Sequence, residues 1–296
     1  MEEKNNVFQA NSCIIGFMKL IVPSPAKVNL ALWVNGKRRD GYHDIVTVLH
    51  TINLFDYLYF SPSNRFELTI EGNESLPLGN SNLIVKAAKL FKETTGINPT
   101  VKVHLKKEIP VGAGLGGGSS NAAATLRGLN KLYGEPLSEE ELQQLAGRLG
   151  SDVPFFVRGG LAVAWGKGEL IRHYNPVSFR ILLINPGFSC STAEVYQKLP
   201  DIKRSVTVED AEKLIISPLI SGRFRELEEQ MENDLEKSES PCVKKVLEIK
   251  EELAKHGIKT LMSGSGSSLF AIAEGKEFDL TPLKRRGWWY KFLSAI

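Results

Sequence analysis

Residues 110–134 read PVGAGLGGGSSNAAATLRGLNKLYG. Five of the eight positions from Val111 to Gly118 are glycine: 112, 114, 116, 117 and 118. Ser119 and Ser120 follow at once. Ala122, Leu126, Leu129 and Leu132 then recur at helical spacing up to a stop at Gly134. The pattern predicts a glycine loop that opens into a helix near Ser119. Glycine lets the backbone approach an anion closely and take positive φ. The helix start adds unpaired N–H groups and the positive end of the helix dipole. Pro110 to Ser120 (Pro110, Val111, Gly112, Ala113, Gly114, Leu115, Gly116, Gly117, Gly118, Ser119, Ser120) therefore reads as a phosphate cradle. The two hydroxyls stand in reach of a phosphate oxygen or a metal ion. No Lys-Ser/Thr pair follows the glycines, so this is not a Walker A loop. Gly112, Gly114 and Gly117 satisfy G-x-G-x-x-G, but Pro110 separates strand from loop and no βαβ unit follows. An isolated glycine would be a packing device; this density directly before a helix favours phosphate.

Outward from the loop, strands and helices mix without a regular βαβ repeat, which predicts an α+β fold. Ala26, Val28, Leu30, Leu32 and Val34 share one face of a strand and leave Lys27 and Asn29 side by side on the other. Strands are expected over 45–60, 66–71 and 101–107. A helix capped by Ser81 or Asn82 should run to about Thr95 and close at Gly96. Ser138 and Glu141 form a capping box for the next helix, which ends at Gly150. Strands over 161–165 and 179–185 come next. The stretch 206–256 reads as mostly helical, broken at Pro218 and Pro241. Strands over 258–262 and 269–274 flank SGSGSS (263–268), and a helix over 281–286 leads to an apolar WWYKFL end. The segment 233–241 (NDLEKSESP) reads as a solvated connection without a function. A length of 296 residues favours two domains, 18–170 and 171–296. The polar segment 1–17 reads as an extension before a natural start at Met18 or as a loosely held tail.

Composition excludes several classes. Lys+Arg is 37 against 34 for Asp+Glu, a net charge of +3, too even for a dedicated nucleic-acid binder. No apolar run approaches the ~20 residues of a membrane span. Three cysteines (Cys13, Cys190, Cys242) do not make a disulfide framework, and a reducing, cytoplasmic setting is the expectation. Neither they nor the five histidines have zinc-ligand spacing. Oligomeric state has no signature here.

Two further clusters could serve a phosphate. SPAKVNL (24–30) carries Lys27, although a lone strand lysine is ordinarily a solvated edge. SGSGSS (263–268) is also a common hairpin composition. Asp152, in GSDVPFF, could be a simple cap. Beside Val153, Phe155 and Phe156 it also suits a base in a sheltered site.

Taken together, the P-x-G-A-G-L-G-G-G-S-S-N-A-A of 110–123, the S-P-A-K-V-N-L of 24–30, the Ser-Asp-Val-Pro-Phe-Phe of 151–156 and the S-G-S-G-S-S of 263–268 resemble the GHMP kinases. Pro25-Ala26-Lys27 and Gly41-Tyr42-His43 look most like the branch whose acceptor alcohol carries a cytidine diphosphate and serves non-mevalonate isoprenoid synthesis. The resemblance implies a ribosomal-protein-like N-terminal domain, a smaller α/β C-terminal domain and a cleft between them. It implies ATP as co-substrate with Mg²⁺, whose ligands it does not assign. Lys27 would be the catalytic lysine, Asp152 the base taking the acceptor's 2-hydroxyl proton, and Pro110 to Ser120 the nucleotide loop. Asn29, Tyr42, His43, Lys167 and Tyr196 would hold the small-molecule acceptor. Alternatives are another kinase of the superfamily, of mevalonate or homoserine type, or a catalytically silent nucleotide- or RNA-binding protein on the same fold.

Overall fold

The computed structural model describes residues 19–296. The expected start at Met18, the segment 1–17 and Cys13 lie outside the described residues. Two long strands, β1 (Leu20–Lys37) and β2 (His43–Pro62), form an antiparallel hairpin. Gly41, at φ 86°, supplies the turn conformation between them. Then follow β3 (Glu67–Glu71), α1 (Leu83–Thr95), β4 (Val101–Lys106), α2 (Gly117–Leu132), α3 (Glu139–Gly147), α4 (Phe155–Arg158), β5 (Leu161–Gly166) and β6 (Leu170–Tyr174). β2 is the spine of a six-stranded sheet. Its first half pairs with β5, its second half with β4, and β1 runs along it. Only β3 against β4 is parallel in this sheet, as an α+β architecture requires.

The rest of the chain builds a four-stranded sheet in the order β10-β7-β9-β8. Its strands are β7 (Arg180–Asn185), β8 (Leu261–Met262), β9 (Leu269–Ile272) and β10 (Trp289–Ser294). Between and after β7 and β9 come α5 (Thr192–Gln197), α6 (Val208–Ala211), α7 (Ser217–Ile220), α8 (Phe224–Gln230), α9 (Pro241–Lys255) and α10 (Thr281–Arg286). A π-turn over Glu212–Ile216 joins α6 to α7, and Pro218 sits in the first turn of α7. α1 and α2 pack Ile84, Phe91, Leu126 and Leu129 against Phe60 and Val103 of the first sheet. Each fully buried phenylalanine there contributes about 1.5–3 kcal/mol. Val28 and Val48 of the first sheet share a second core with Ile181, Leu183 and Phe270 of the other.

Three expectations need correction. The alternation over 26–34 is not strict, because the register shifts between Asn29 and Ala31. The extra residue is a bulge, which turns later side chains to the opposite face. Ala31 and Trp33 continue the core of Ala26 and Val28, while Leu32 and Val34 join the core around β7 and α9. Helix α2 begins at Gly117, two residues before Ser119. The segment 233–241 is not a solvated connection: Asn233, Asp234, Leu235, Ser238 and Ser240 are buried. The cysteines also differ from their reading, since Cys190 and Cys242 are disulfide-bonded, 52 residues apart in sequence. The loop after β7 meets the first turn of α9, a proximity that cysteine counting cannot reveal.

Candidate active site

The glycine loop lines a cleft of about 940 Å³. Its conformation is forced at two points. Gly114 has φ 76°, and a Cβ there would overlap the Ser263 carbonyl oxygen. Gly116, at φ 70°, is the N-cap of α2, and a Cβ would stand 2.7 Å from Phe156. No side chain caps this helix, so its first N–H groups are left to face whatever the loop holds.

The three sequence clusters meet at one atom. The Gly114 carbonyl oxygen accepts from Lys27 Nζ at 2.8 Å and from Ser263 Oγ at 3.0 Å. Backbone bonds reinforce the junction: Lys27 N–H donates to Leu115 O, and Ser268 N–H to Ala113 O. Asn233, unread in the sequence, donates from Nδ2 to the carbonyls of Met262 and Gly264, bracing SGSGSS from behind. Of that second loop, Gly264 and Ser265 line the cleft.

Lys27 is 3% exposed, and its Nζ also donates to Asn29 Oδ1 at 2.5 Å. Asn29 is oriented in turn by Thr47, whose hydroxyl accepts from Asn29 Nδ2 and donates to Ala31 O. Asp152 Oδ2 lies 3.9 Å from Lys27 Nζ, with its side chain 44% exposed at the cleft wall. Burial lowers the Lys27 pKa from its usual value, and the Asp152 charge opposes that shift in part. The ammonium is thus held by a carbonyl, an amide oxygen and one carboxylate.

In the same cleft, the rings of His43 and Tyr196 lie 5.1 Å apart, and Lys167 Nζ stands 5.1 Å from the centre of the Tyr42 ring. Tyr42 is 59% exposed, a large flat ring at the mouth. Burial pushes the Tyr196 phenol above its usual range, with Asp152 adding to the effect. His43 is lowered by burial and by Lys37. Lys27, Asn29, Tyr42, His43, Pro110 to Ser119, Asp152, Lys167 and Tyr196 all line this one cleft. Ser120 does not: its hydroxyl is buried, 2.8 Å from Ser24 Oγ, and acts behind the loop.

Sequence reading missed Asp56, Lys107 and the wall formed by Leu76, Pro77, Asn82, Leu83 and Leu105. Asp56 is fully buried and accepts from the backbone N–H of Glu108 and Ile109 and from Lys107 Nζ. It fixes the point where β4 hands over to the glycine loop. A lone Asp in a β-rich run carries no signal of this.

Two family models match, the GHMP kinases N terminal domain over residues 82–160 and the GHMP kinases C terminal over residues 215–279. The chain is 42% identical over 270 residues to the 4-diphosphocytidyl-2-C-methyl-D-erythritol kinase of Persephonella marina, covering 90% of this chain and 96% of that one. The chain belongs to the GHMP kinase family. It is therefore a kinase, with ATP as co-substrate. A crystal structure of 4-(cytidine 5'-diphospho)-2C-methyl-D-erythritol kinase superposes with a TM-score of 0.74 at 33% identity, over 94% of this chain and all of that one. The homoserine kinase from Cytophaga hutchinsonii, at 18% identity and a TM-score of 0.68 over 95% and 96% of the two chains, shares the fold.

Proposed function

We propose that this kinase transfers the γ-phosphoryl group of ATP to the 2-hydroxyl of 4-diphosphocytidyl-2-C-methyl-D-erythritol, a step toward isoprenoid precursors. The observation that carries the reading is the Lys27–Asp152 pair in the cleft that the glycine loop lines together with Tyr42, His43, Lys167 and Tyr196. The names of the relatives support the acceptor.

In this reading the loop amides and the start of α2 take the triphosphate, and the apolar wall of Leu76, Pro77, Leu83 and Leu105 takes the adenine. Asp152 removes the hydroxyl proton as the oxygen attacks the γ-phosphorus, worth about 10²–10⁴-fold. Lys27 offsets the charge on the transferring group and keeps Asp152 ionised. Tyr42 stacks on the cytosine, Lys167 meets acceptor phosphate, and Asn29, His43 and Tyr196 fix the acceptor's orientation. Among the described residues no three His, Cys, Asp or Glu gather as a metal cage. Mg²⁺ needs none, because it takes one or two protein oxygens and completes its shell with phosphate and water. The Ser119 hydroxyl fits that demand, and the ion would neutralise phosphate charge.

The same proposal divides the chain into N-terminal (18–170) and C-terminal (171–296) units. It sets the enzyme in the cytoplasm with a small-molecule substrate and no nucleic-acid or membrane partner. An ADP-release assay across candidate alcohols is the test. Turnover confined to the diphosphocytidyl alcohol supports the reading, whereas turnover of mevalonate or homoserine alone overturns it.

A further inference from the structure

Cys190 lines the cleft, and its backbone N–H donates to the Gly112 carbonyl at 3.0 Å, so the residue props the glycine loop from outside. Its side chain is buried against the second loop: a Cβ on Gly266 would stand 3.3 Å from Cys190 Sγ. The bonded partner, Cys242, sits in the first turn of the 15-residue helix α9. That helix is fixed by Val243, Val246, Ile249 and Leu253, which bury against the second sheet. Covalent structure thus runs from a rigid helix, through two sulfurs, to a residue that holds the loop carbonyl. Cys242 is the partly exposed member of the pair.

We propose that Cys190 and Cys242 are a reversible thiol–disulfide modification site, addressed by small-molecule disulfides, whose oxidised form braces the glycine loop for ATP. The Cys242 thiolate attacks one sulfur of the small disulfide, forming a mixed disulfide and releasing one thiolate. The Cys190 thiolate then attacks Cys242 Sγ, closes the cross-link and releases the second thiolate. Two protein thiols are oxidised, one small disulfide is reduced to two thiols, and the two protons pass to them through solvent. Reduction reverses both steps. Without the bond the sulfurs separate to non-bonded contact, and the prop on Gly112 loses its anchor in α9.

The inference takes the glycine loop as the ATP cradle, and so rests on the proposed function at that one point. The test uses the full chain and Cys242→Ser, each equilibrated with oxidised glutathione or with dithiothreitol. Free thiols are counted and the ATP KM and kcat are measured separately. The wild type should show three thiols when reduced, and on oxidation Cys190 and Cys242 should be lost together as one cross-linked peptide pair in a non-reducing digest. Its ATP KM should rise roughly fivefold on reduction, while kcat changes little. Cys242→Ser should keep the reduced KM in both conditions. A stable glutathione adduct in place of the cross-link, a wild-type KM blind to redox state, or a redox response surviving in Cys242→Ser would each overturn the inference. The cradle reading stands or falls separately, on whether Gly114→Ala abolishes ATP binding.

Discussion

Lys27 Nζ and Asp152 Oδ2 face each other across 3.9 Å, the first sealed in the protein and the second open to the cleft. The asymmetry suits their proposed roles. A base must reach substrate, whereas a counter-charge works best where water is excluded. Asp152→Asn keeps the shape and removes the base. Its kcat should fall by about 10²–10⁴-fold, while ATP affinity measured by calorimetry stays at the wild-type value. Undiminished turnover would remove Asp152 from catalysis.

The Lys27 ammonium gives a pH signature. Its folded pKa lies below 10.5, chiefly through burial, so the proton is lost earlier in the folded chain than in the unfolded one. Activity should therefore decline on an alkaline limb centred below 10.5, and Lys27→Arg should move that limb upward. Stability carries the opposite sign. Between the folded and unfolded pKa values the unfolded chain binds more protons, so this group's contribution to stability rises with pH across that window. A pH–rate profile beside a pH series of denaturant midpoints checks both signs.

Tyr42 offers an exposed ring with Lys167 over it. Tyr42→Ala should raise the acceptor KM about tenfold, the scale of one base–aromatic stack. The ATP KM should not move. An equal rise in both constants would place Tyr42 outside the acceptor end.

Two glycines of the loop should part company on substitution. Gly114→Ala forces a Cβ into the Ser263 carbonyl and strains a left-handed residue, so ATP binding should be lost and the melting temperature lowered. Gly118 lies within α2, and a Cβ there meets only Leu83, at 3.7 Å. Gly118→Ala should fold normally and gain up to about 1 kcal/mol. Thermal melts with and without an ATP analogue separate the two effects.

The cross-link should also appear in stability without any nucleotide. For a 52-residue separation, loop-closure entropy gives about 4 kcal/mol. Dithiothreitol should lower the wild-type melting temperature by roughly 10 °C and leave Cys242→Ser unaffected.

The sequence made the site's local pieces readable and its tertiary joins unreadable. Asn82 and Gly96 bound α1, and Ser138 with Glu141 starts α3, because capping chemistry acts within one turn. The glycine loop was visible for the same reason, as a dense local pattern, whereas Lys27 and Asp152, ordinary residues by themselves, took their roles from the resemblance to the GHMP kinases. Asn233 and Asp56 were not, because each acts on backbone groups 29 to 53 residues away. The bulge after Asn29 was hidden as well, since a strand's register depends on its neighbour. Ser120, read as a ligand, faces inward because α2 starts two residues early and rotates the hydroxyl behind the helix.

The doubly accepting carbonyl of Gly114 has one more effect. In a trans peptide the C=O and the following N–H point in opposite directions. Two donors hold the oxygen, so the dipole of the Gly114–Leu115 peptide has its heading set when the chain folds. Incoming nucleotide meets an amide that is already aimed, and the ordering entropy of that stretch belongs to folding rather than to capture. Association should then be limited by diffusion and desolvation, with no slow loop-closing phase in stopped-flow traces.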